Sequence, residues 1–342
     1  MAQDQIVVLD EQKMLEKIMD FPNQLEKAWT SYWIKDLGLD KSSISHVILV
    51  GMGGSGIAGA LAAELAGSQA NMTVTTWNDY QLPAFADNRT LVVAISYSGN
   101  TEETIDALRA AHQKNIPAIC ITSGGKLKEV AAIGANKVLE IDYQAPPRAA
   151  LGWLFGAVLT ILGKLEIAPV TEKYFFDALE ALKKVVSQNT FKEKAQKLAI
   201  ELNNKIPLIV AYQPLTSLAK RFANQINENA KTFAVAACLP EANHNLIVGL
   251  DYPSPEKLVV LSVESKFGFS RNAARSKVLT KLMREKEISH IPLLVNSANP
   301  LAEQLLFLHF ADLVSYYLAG VYGVDPTPIE VVDKLKKELE KL

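Results

Sequence analysis

The sequence predicts an α/β fold of two doubly wound domains, each a parallel sheet flanked by helices. Three observations predict it. Short apolar, β-rich runs alternate with helical patterns over residues 47–141, and the same alternation returns over 207–318. A single charged, helix-patterned stretch, 174–202, separates the two series. A length of 342 residues at 49% hydrophobic composition suits two ordinary cores better than one.

Residues 10–36 read as helix, with Met14, Leu15, Ile18 and Phe21 at helical spacing before Pro22 interrupts. Strands follow at 47–50, 72–77, 90–95, 118–121 and 137–141, with helical patterns at 57–65 and 105–113 and a closing helix at 151–165. Beyond the connector, strands are expected at 207–212, 232–237, 257–263 and 288–295, and helices at 217–229, 271–285 and 301–318. In the last stretch, 328–342, Ile329, Val332, Leu335 and Leu339 share one face of a charged helix. That helix is expected to dock onto the body, because a short isolated helix is marginal in water. The chain thus divides into an N-terminal helical segment (1–40), a first α/β domain (41–168), a helical connector (169–204), a second α/β domain (205–325) and a C-terminal helix (326–342). The halves repeat in architecture, without close sequence identity.

The formal net charge is −2 and no Lys/Arg block stands out, so nothing points to a nucleic-acid partner. No apolar run approaches the roughly 18 residues of a membrane span, and no membrane association is expected. Cys120 and Cys238 both sit in apolar, strand-like surroundings and are expected to be buried free thiols, as fits a reducing cytoplasm. The first residues lack the basic-then-apolar pattern of a signal peptide. His46, His112, His244, His290 and His309 show no metal-ligand spacing, so no metal site is expected.

Two turns carry chemistry. After the third predicted strand comes Ser96-Tyr97-Ser98-Gly99-Asn100-Thr101-Glu102-Glu103-Thr104, which opens a helix. The first turn of a helix exposes unpaired N–H groups and the positive end of the macrodipole. Ser96, Ser98 and Thr101 add neutral donors around the same point. With no Lys or Arg in the segment it is not a P-loop, but it suits a phosphate monoester. The plainer reading is a serine-rich turn capped by Asn100. The other turn, Gly51-Met52-Gly53-Gly54-Ser55-Gly56, follows the first strand and matches GxGxxG. A dinucleotide fingerprint reads the same way, with Asp79 as the ribose acid, but the pattern alone is weak. Gly53 and Gly54 are needed wherever a ligand approaches backbone closely, and Ser55 adds another hydroxyl. Both turns lie at the carboxyl ends of strands in a parallel sheet, so they converge on one ligand. A small anion explains the serines better than a dinucleotide does.

GMGGSG followed by SYSGNTEET resembles a sugar-isomerase (SIS) domain, and two such domains resemble the phosphoglucose isomerase superfamily. Pro147-Arg148-Ala149-Ala150, the segment from Gln225 through Glu228 to Lys231, and Pro240-Glu241-Ala242-Asn243-His244-Asn245 narrow the resemblance to the bifunctional phosphoglucose/phosphomannose isomerases. The resemblance implies phosphate binding by Ser55, Ser96, Ser98 and Thr101. It implies Glu228 as the group moving a proton between C1 and C2, and Arg148 beside the enediolate. It implies His244 as the ring-opening group, contributed by the neighbouring subunit of a homodimer, and a C-terminal lysine, best matched by Lys336 between Lys334 and Lys337. No metal or organic cofactor belongs to that reaction.

The chemistry is consistent with these residue types. One carboxylate reaching both carbons serves as base and then acid. An arginine keeps its charge beside a developing enediolate. A histidine titrates near neutrality, and Asn243 and Asn245 flank His244 as candidates to fix its ring. Glu241 ranks second as base. Two alternatives stay open: a non-catalytic sugar-phosphate-binding protein on the same fold, and an isomerase of another phosphosugar.

Overall fold

The computed structural model describes residues 6–67, 70–251, 254–339 and 341. The chain starts with α1 (Met14–Met19) and α2 (Phe21–Trp33). The first alternation runs β1 (His46–Val50), α3 (Gly53–Gly67), β2 (Thr73–Trp77), β3 (Thr90–Ile95), α4 (Glu102–Gln113), β4 (Ala118–Thr122), α5 (Gly125–Ile133), β5 (Lys137–Glu140) and α6 (Leu151–Lys164). The connector is a helix pair, α7 (Glu172–Val186) and α8 (Asn189–Glu201). The second alternation runs β6 (Ile206–Ala211), α9 (Thr216–Asn229), β7 (Val235–Cys238), β8 (Leu258–Glu264), α10 (Ser270–Glu285), β9 (Ser289–Leu294) and α11 (Pro300–Tyr322), and α12 (Glu330–Leu339) follows.

Both sheets are wholly parallel, in the orders β2-β1-β3-β4-β5 and β7-β6-β8-β9. Every residue of β3 and β4 is buried. That is the reason these strands read as unbroken apolar runs: a parallel sheet is covered on both faces. One continuous core joins the two halves, with Leu61 of α3, Leu154 of α6, Phe222 of α9 and Leu308 of α11 in the same cluster. Smaller clusters cover the outer face of each sheet. The helices that start at the first sheet's ligand edge therefore pack directly on helices of the second half.

The structure corrects several expectations. The first helical stretch breaks at Asp20, not at Pro22, which sits in the first turn of α2, where a missing N–H costs nothing. The connector is two helices, not one, with a break at residues 187–188. Helix α5 went unread; its three buried residues, Leu127, Val130 and Ala131, make too short a pattern to stand out. Cys120 is buried, which pushes its thiol up to about 12, but Cys238 at the end of edge strand β7 is exposed. Helix α11 is long and apolar enough to cross a membrane, contrary to expectation, yet Leu301–Ala319 lie buried inside the protein. Helix α12 has no buried residue and does not dock on its own chain; Val331, Leu335 and Leu339 are all more than half exposed.

Candidate active site

Strand β1 runs into Gly51-Met52 and α3 begins at once, while β3 runs into Ser96–Thr101 ahead of α4. Because β1 and β3 are parallel neighbours, both turns open on one sheet edge. Polar contacts join them. The Ser55 hydroxyl accepts from the Tyr97 N–H at 3.1 Å, and the Ser96 and Thr101 hydroxyls bond each other at 2.8 Å. Ser96 Oγ also accepts from the Gly99 N–H at 3.1 Å, and exposed Ser98 accepts from the Asn100 N–H at 3.3 Å. Gly99 has φ 68°, and a Cβ there would run into the Gly124 carbonyl, so only glycine closes this turn.

No side chain caps α4. Thr101 holds the N-cap position, but its hydroxyl turns to Ser96. Asn100 accepts from the Lys126 N–H at 3.2 Å and so ties this turn to α5 instead of capping. The helix start thus keeps its first-turn amides free of a side-chain cap among the described residues, the arrangement that suits an anion. Asp79, the residue a dinucleotide would need, is exposed and accepts from the Tyr80 N–H beside it.

The second part of the site approaches from the turn Pro147–Ala149. A Cβ on Gly54 would meet the Arg148 backbone at 3.1 Å, so the glycine brings the arginine turn against the start of α3. Gly53 has φ 50° and open space around its Cα. Arg148 is 2% exposed and almost fully engaged. Its Nε donates to Asn229 Oδ1 at 2.8 Å, and Nη2 donates to the carbonyls of Pro326 and Thr327 at 2.7 and 2.8 Å. Its remaining nitrogen, Nη1, lies 3.6 Å from Glu228 Oε2. Burial pulls the guanidinium below its ordinary pKa, and Glu228 opposes that pull. Glu228, next to last in α9, is one-third exposed and reaches solvent from beside this fixed cation.

His244 and Lys336 stand apart from that pair. His244 ends the short 3-10 turn Glu241–His244 and is exposed, without a hydrogen bond among the described residues. Neither neighbouring asparagine orients it. Asn245 donates to Glu241 at 2.7 Å and accepts from the Leu246 N–H, while the Asn243 oxygen is buried without a partner. Lys336 lies on the exposed α12 with no ion pair among the described residues.

Several supporting residues escaped the sequence. Gln24 of α2, fully buried, donates to the Ala149 carbonyl at 3.0 Å and accepts from the Gly152 N–H at 3.2 Å, bracing the arginine turn from behind. The Tyr97 hydroxyl donates to the Tyr143 carbonyl and accepts from the Ala145 N–H, tying the serine turn to the segment that leads to Arg148. Arg221 donates to the Arg148 carbonyl at 2.8 Å and to both oxygens of Asp312 at 3.0 Å. Lys231 donates to the Glu228 and Pro326 carbonyls at 2.5 and 3.2 Å, and burial followed by Arg148 repulsion lowers its pKa.

A family model described as "SIS domain" matches residues 42–143, and one described as "Bacterial phospho-glucose isomerase C-terminal SIS domain" matches 191–339. A bifunctional phosphoglucose/phosphomannose isomerase of Caldicellulosiruptor bescii is 35% identical over 342 residues, covering 96% of this chain and 99% of the relative. The chain belongs to the bifunctional phosphoglucose/phosphomannose isomerase family. Another member, from Aquifex aeolicus, is 34% identical, with 96% of this chain and 99% of that protein covered. Among solved structures, tagatose-6-phosphate ketose/aldose isomerase from Escherichia coli superposes with a TM-score of 0.71 at 16% identity, covering 92% of this chain and 95% of that one. At that identity the likeness is one of fold, and in this family member the fold is two SIS domains face to face through their helices.

Proposed function

We propose that this protein interconverts glucose 6-phosphate and mannose 6-phosphate with fructose 6-phosphate through a cis-enediolate. The observation that carries the reading is the pairing of a one-third-exposed carboxylate, Glu228, with the nitrogen of a buried arginine that its other partners leave free, the arginine's turn abutting the serine-lined helix start. The sugar's phosphate takes the hydroxyls of Ser55, Ser96, Ser98 and Thr101 and the first-turn amides of α4. Glu228 removes the proton from C2 of the open-chain aldose; the C–H electrons form the C1–C2 double bond, and O1 gains the negative charge. Arg148 stabilises that charge. A proton passes from O2 to O1, and Glu228 returns its proton to C1 as the C2=O bond forms, giving the ketose. Return to either face of C2 yields the glucose or the mannose isomer. Ring opening moves a proton from O1 to O5, the role proposed for His244, with Lys336 as the cation near the ring oxygen.

A homodimer is the arrangement in which His244 would take this role. The histidine is exposed and unengaged, and apolar Phe233 and Val248, 65% and 72% exposed, flank it in sequence. Exposed apolar side chains such as these are what a second copy would cover. If His244 completes the partner's site, mixing Glu228→Gln and His244→Ala chains restores about a quarter of wild-type activity, since half of the randomly formed dimers then hold one intact site. No restoration means that each chain completes its own site. The free thiols Cys120 and Cys238 support a cytoplasmic location, where an isomerase of this kind serves glycolysis and gluconeogenesis.

The direct test is NMR of fructose 6-phosphate in D2O. Both aldose phosphates, deuterated at C2, should form with the wild type and not with Glu228→Gln. Glucose 6-phosphate alone removes the mannose activity. A bound ligand with no turnover leaves a sugar-phosphate-binding protein.

A further inference from the structure

We propose that Glu64 is a positioning residue for the proton transfer: its carboxylate bridges the helix that begins at the phosphate turn to the helix that ends at Glu228. The inference rests on the isomerase reading above. Glu64 lies nine residues after Ser55 on α3 and is 7% exposed. One carboxylate oxygen accepts from the Thr216 N–H at 2.6 Å and from the Thr216 hydroxyl at 2.5 Å; the other accepts from the Ser217 N–H at 2.7 Å. The Ser217 hydroxyl donates back to the Ala60 carbonyl at 3.2 Å. Four directional bonds therefore join the interior of α3 to the first turn of α9. The first-turn amides and positive end of α9 form a built anion seat, and here the first domain's own carboxylate fills it.

The consequence for the reaction is a lever. Glu228 lies twelve residues beyond Thr216, about 18 Å along the axis at the helical rise. A tilt of about 3° at the first turn moves Glu228 by about 1 Å, a displacement that can cost about 100-fold in rate. Arg148 restrains the far end of α9, where its side chain bonds to Asn229 and its carbonyl accepts from Arg221, and Glu64 restrains the near end. The approach of Arg148 to Gly54 is a van der Waals contact without direction. Glu64 holds the angle between the half of the site that grips phosphate and the half that moves the proton.

Steady-state kinetics on fructose 6-phosphate with the full chain test this. Glu64→Gln is expected to lower kcat about 10-fold or more, while KM and inhibition by inorganic phosphate stay within about twofold. Thr216→Val removes one of the three bonds to Glu64 and should show the same split at smaller size, in a chain that keeps its fold. Leu179→Ala, a core cavity in α7, supplies a destabilised control expected to keep wild-type kcat well below its melting temperature. Unchanged kcat in both clamp variants overturns the proposal. So does a loss that Leu179→Ala reproduces at equal loss of melting temperature, or one in which phosphate inhibition weakens in step with kcat. A wild type inactive on fructose 6-phosphate overturns the isomerase reading and this role with it; an active wild type with unaffected variants overturns the clamp alone.

Discussion

In the first sheet, Ser96 follows β3 and shares a hydrogen bond with Thr101 at the uncapped start of α4; in the second, Ser265 follows β8 and donates to the buried carboxylate of Glu303. The two serines are counterparts. Val50 pairs with Ala94 and Ala211 with Val263, and counting forward from those pairs aligns Ser96 with Ser265, Gly99 with Gly268 and Thr101 with Ser270. The Lys266 N–H also donates to Glu303, at 3.3 Å, where in the first half the Tyr97 N–H meets Ser55. Glu64 meanwhile fills the start of α9. The same fold has thus kept its anion donors open in one half and closed them with the chain's own carboxylates in the other. In the proposed reaction the open half takes the phosphate and the closed half presents Glu228.

The helices that follow the last strands differ in the same sense. Helix α6 carries no Asp, Glu or His, whereas its counterpart α11 buries Glu303, His309 and Asp312. Burial pushes the Glu303 and Asp312 carboxyls up and pulls His309 down to about 4. Titratable groups inside the second half therefore make its stability depend on pH.

The largest expected effect comes from breaking the bridge between the halves. Arg148→Lys should lower kcat/KM by about 100-fold or more, because an ammonium cannot reproduce a fork that bonds Asn229, Pro326 and Thr327 while facing Glu228. Near-wild-type kinetics in that variant would remove the fixed-cation role. Next in size, the two aligned serines should separate cleanly. Ser96→Ala is expected to raise KM for fructose 6-phosphate about 10-fold. Ser265→Ala should leave KM alone and cost about 1–3 kcal/mol of stability by stranding Glu303, as read from denaturant melts. Equal effects of the two on KM would erase the distinction between the turns.

The last effect is the pH slope of His309, small per tenth of a pH unit. Its ring nitrogens have no partner among the described residues, and its ring stacks on Phe191. The fold keeps it neutral down to about 4, while the unfolded chain takes up a proton near 6.5. The unfolded state thus binds more protons in that window, so stability is full above pH 6.5 and falls as pH drops toward 4, by up to about 1.4 kcal/mol per pH unit. His309→Met should flatten that slope.

The parts of this arrangement legible in the sequence are those whose cause is local. The serine turn, its glycine and the start of the helix after it lie in nine consecutive residues, and strand burial on both faces leaves unbroken apolar runs. The Arg148–Glu228 contact joins residues 80 positions apart through Asn229 and two backbone carbonyls, which no spacing rule encodes. Glu64 reads as an ordinary helix residue until α9 is set against it. The apolar face of α12 was legible and its docking was not, because periodicity reports that a face wants cover and says nothing of which chain provides it.

A single open phosphate seat per chain can be counted by calorimetric titration of the Glu228→Gln chain with fructose 6-phosphate. One sugar phosphate should bind per chain, with affinity weakened about 10-fold or more by adding Ser96→Ala and unchanged by adding Ser265→Ala. Two bound per chain, or affinity lost with Ser265→Ala, would contradict the division of the two halves.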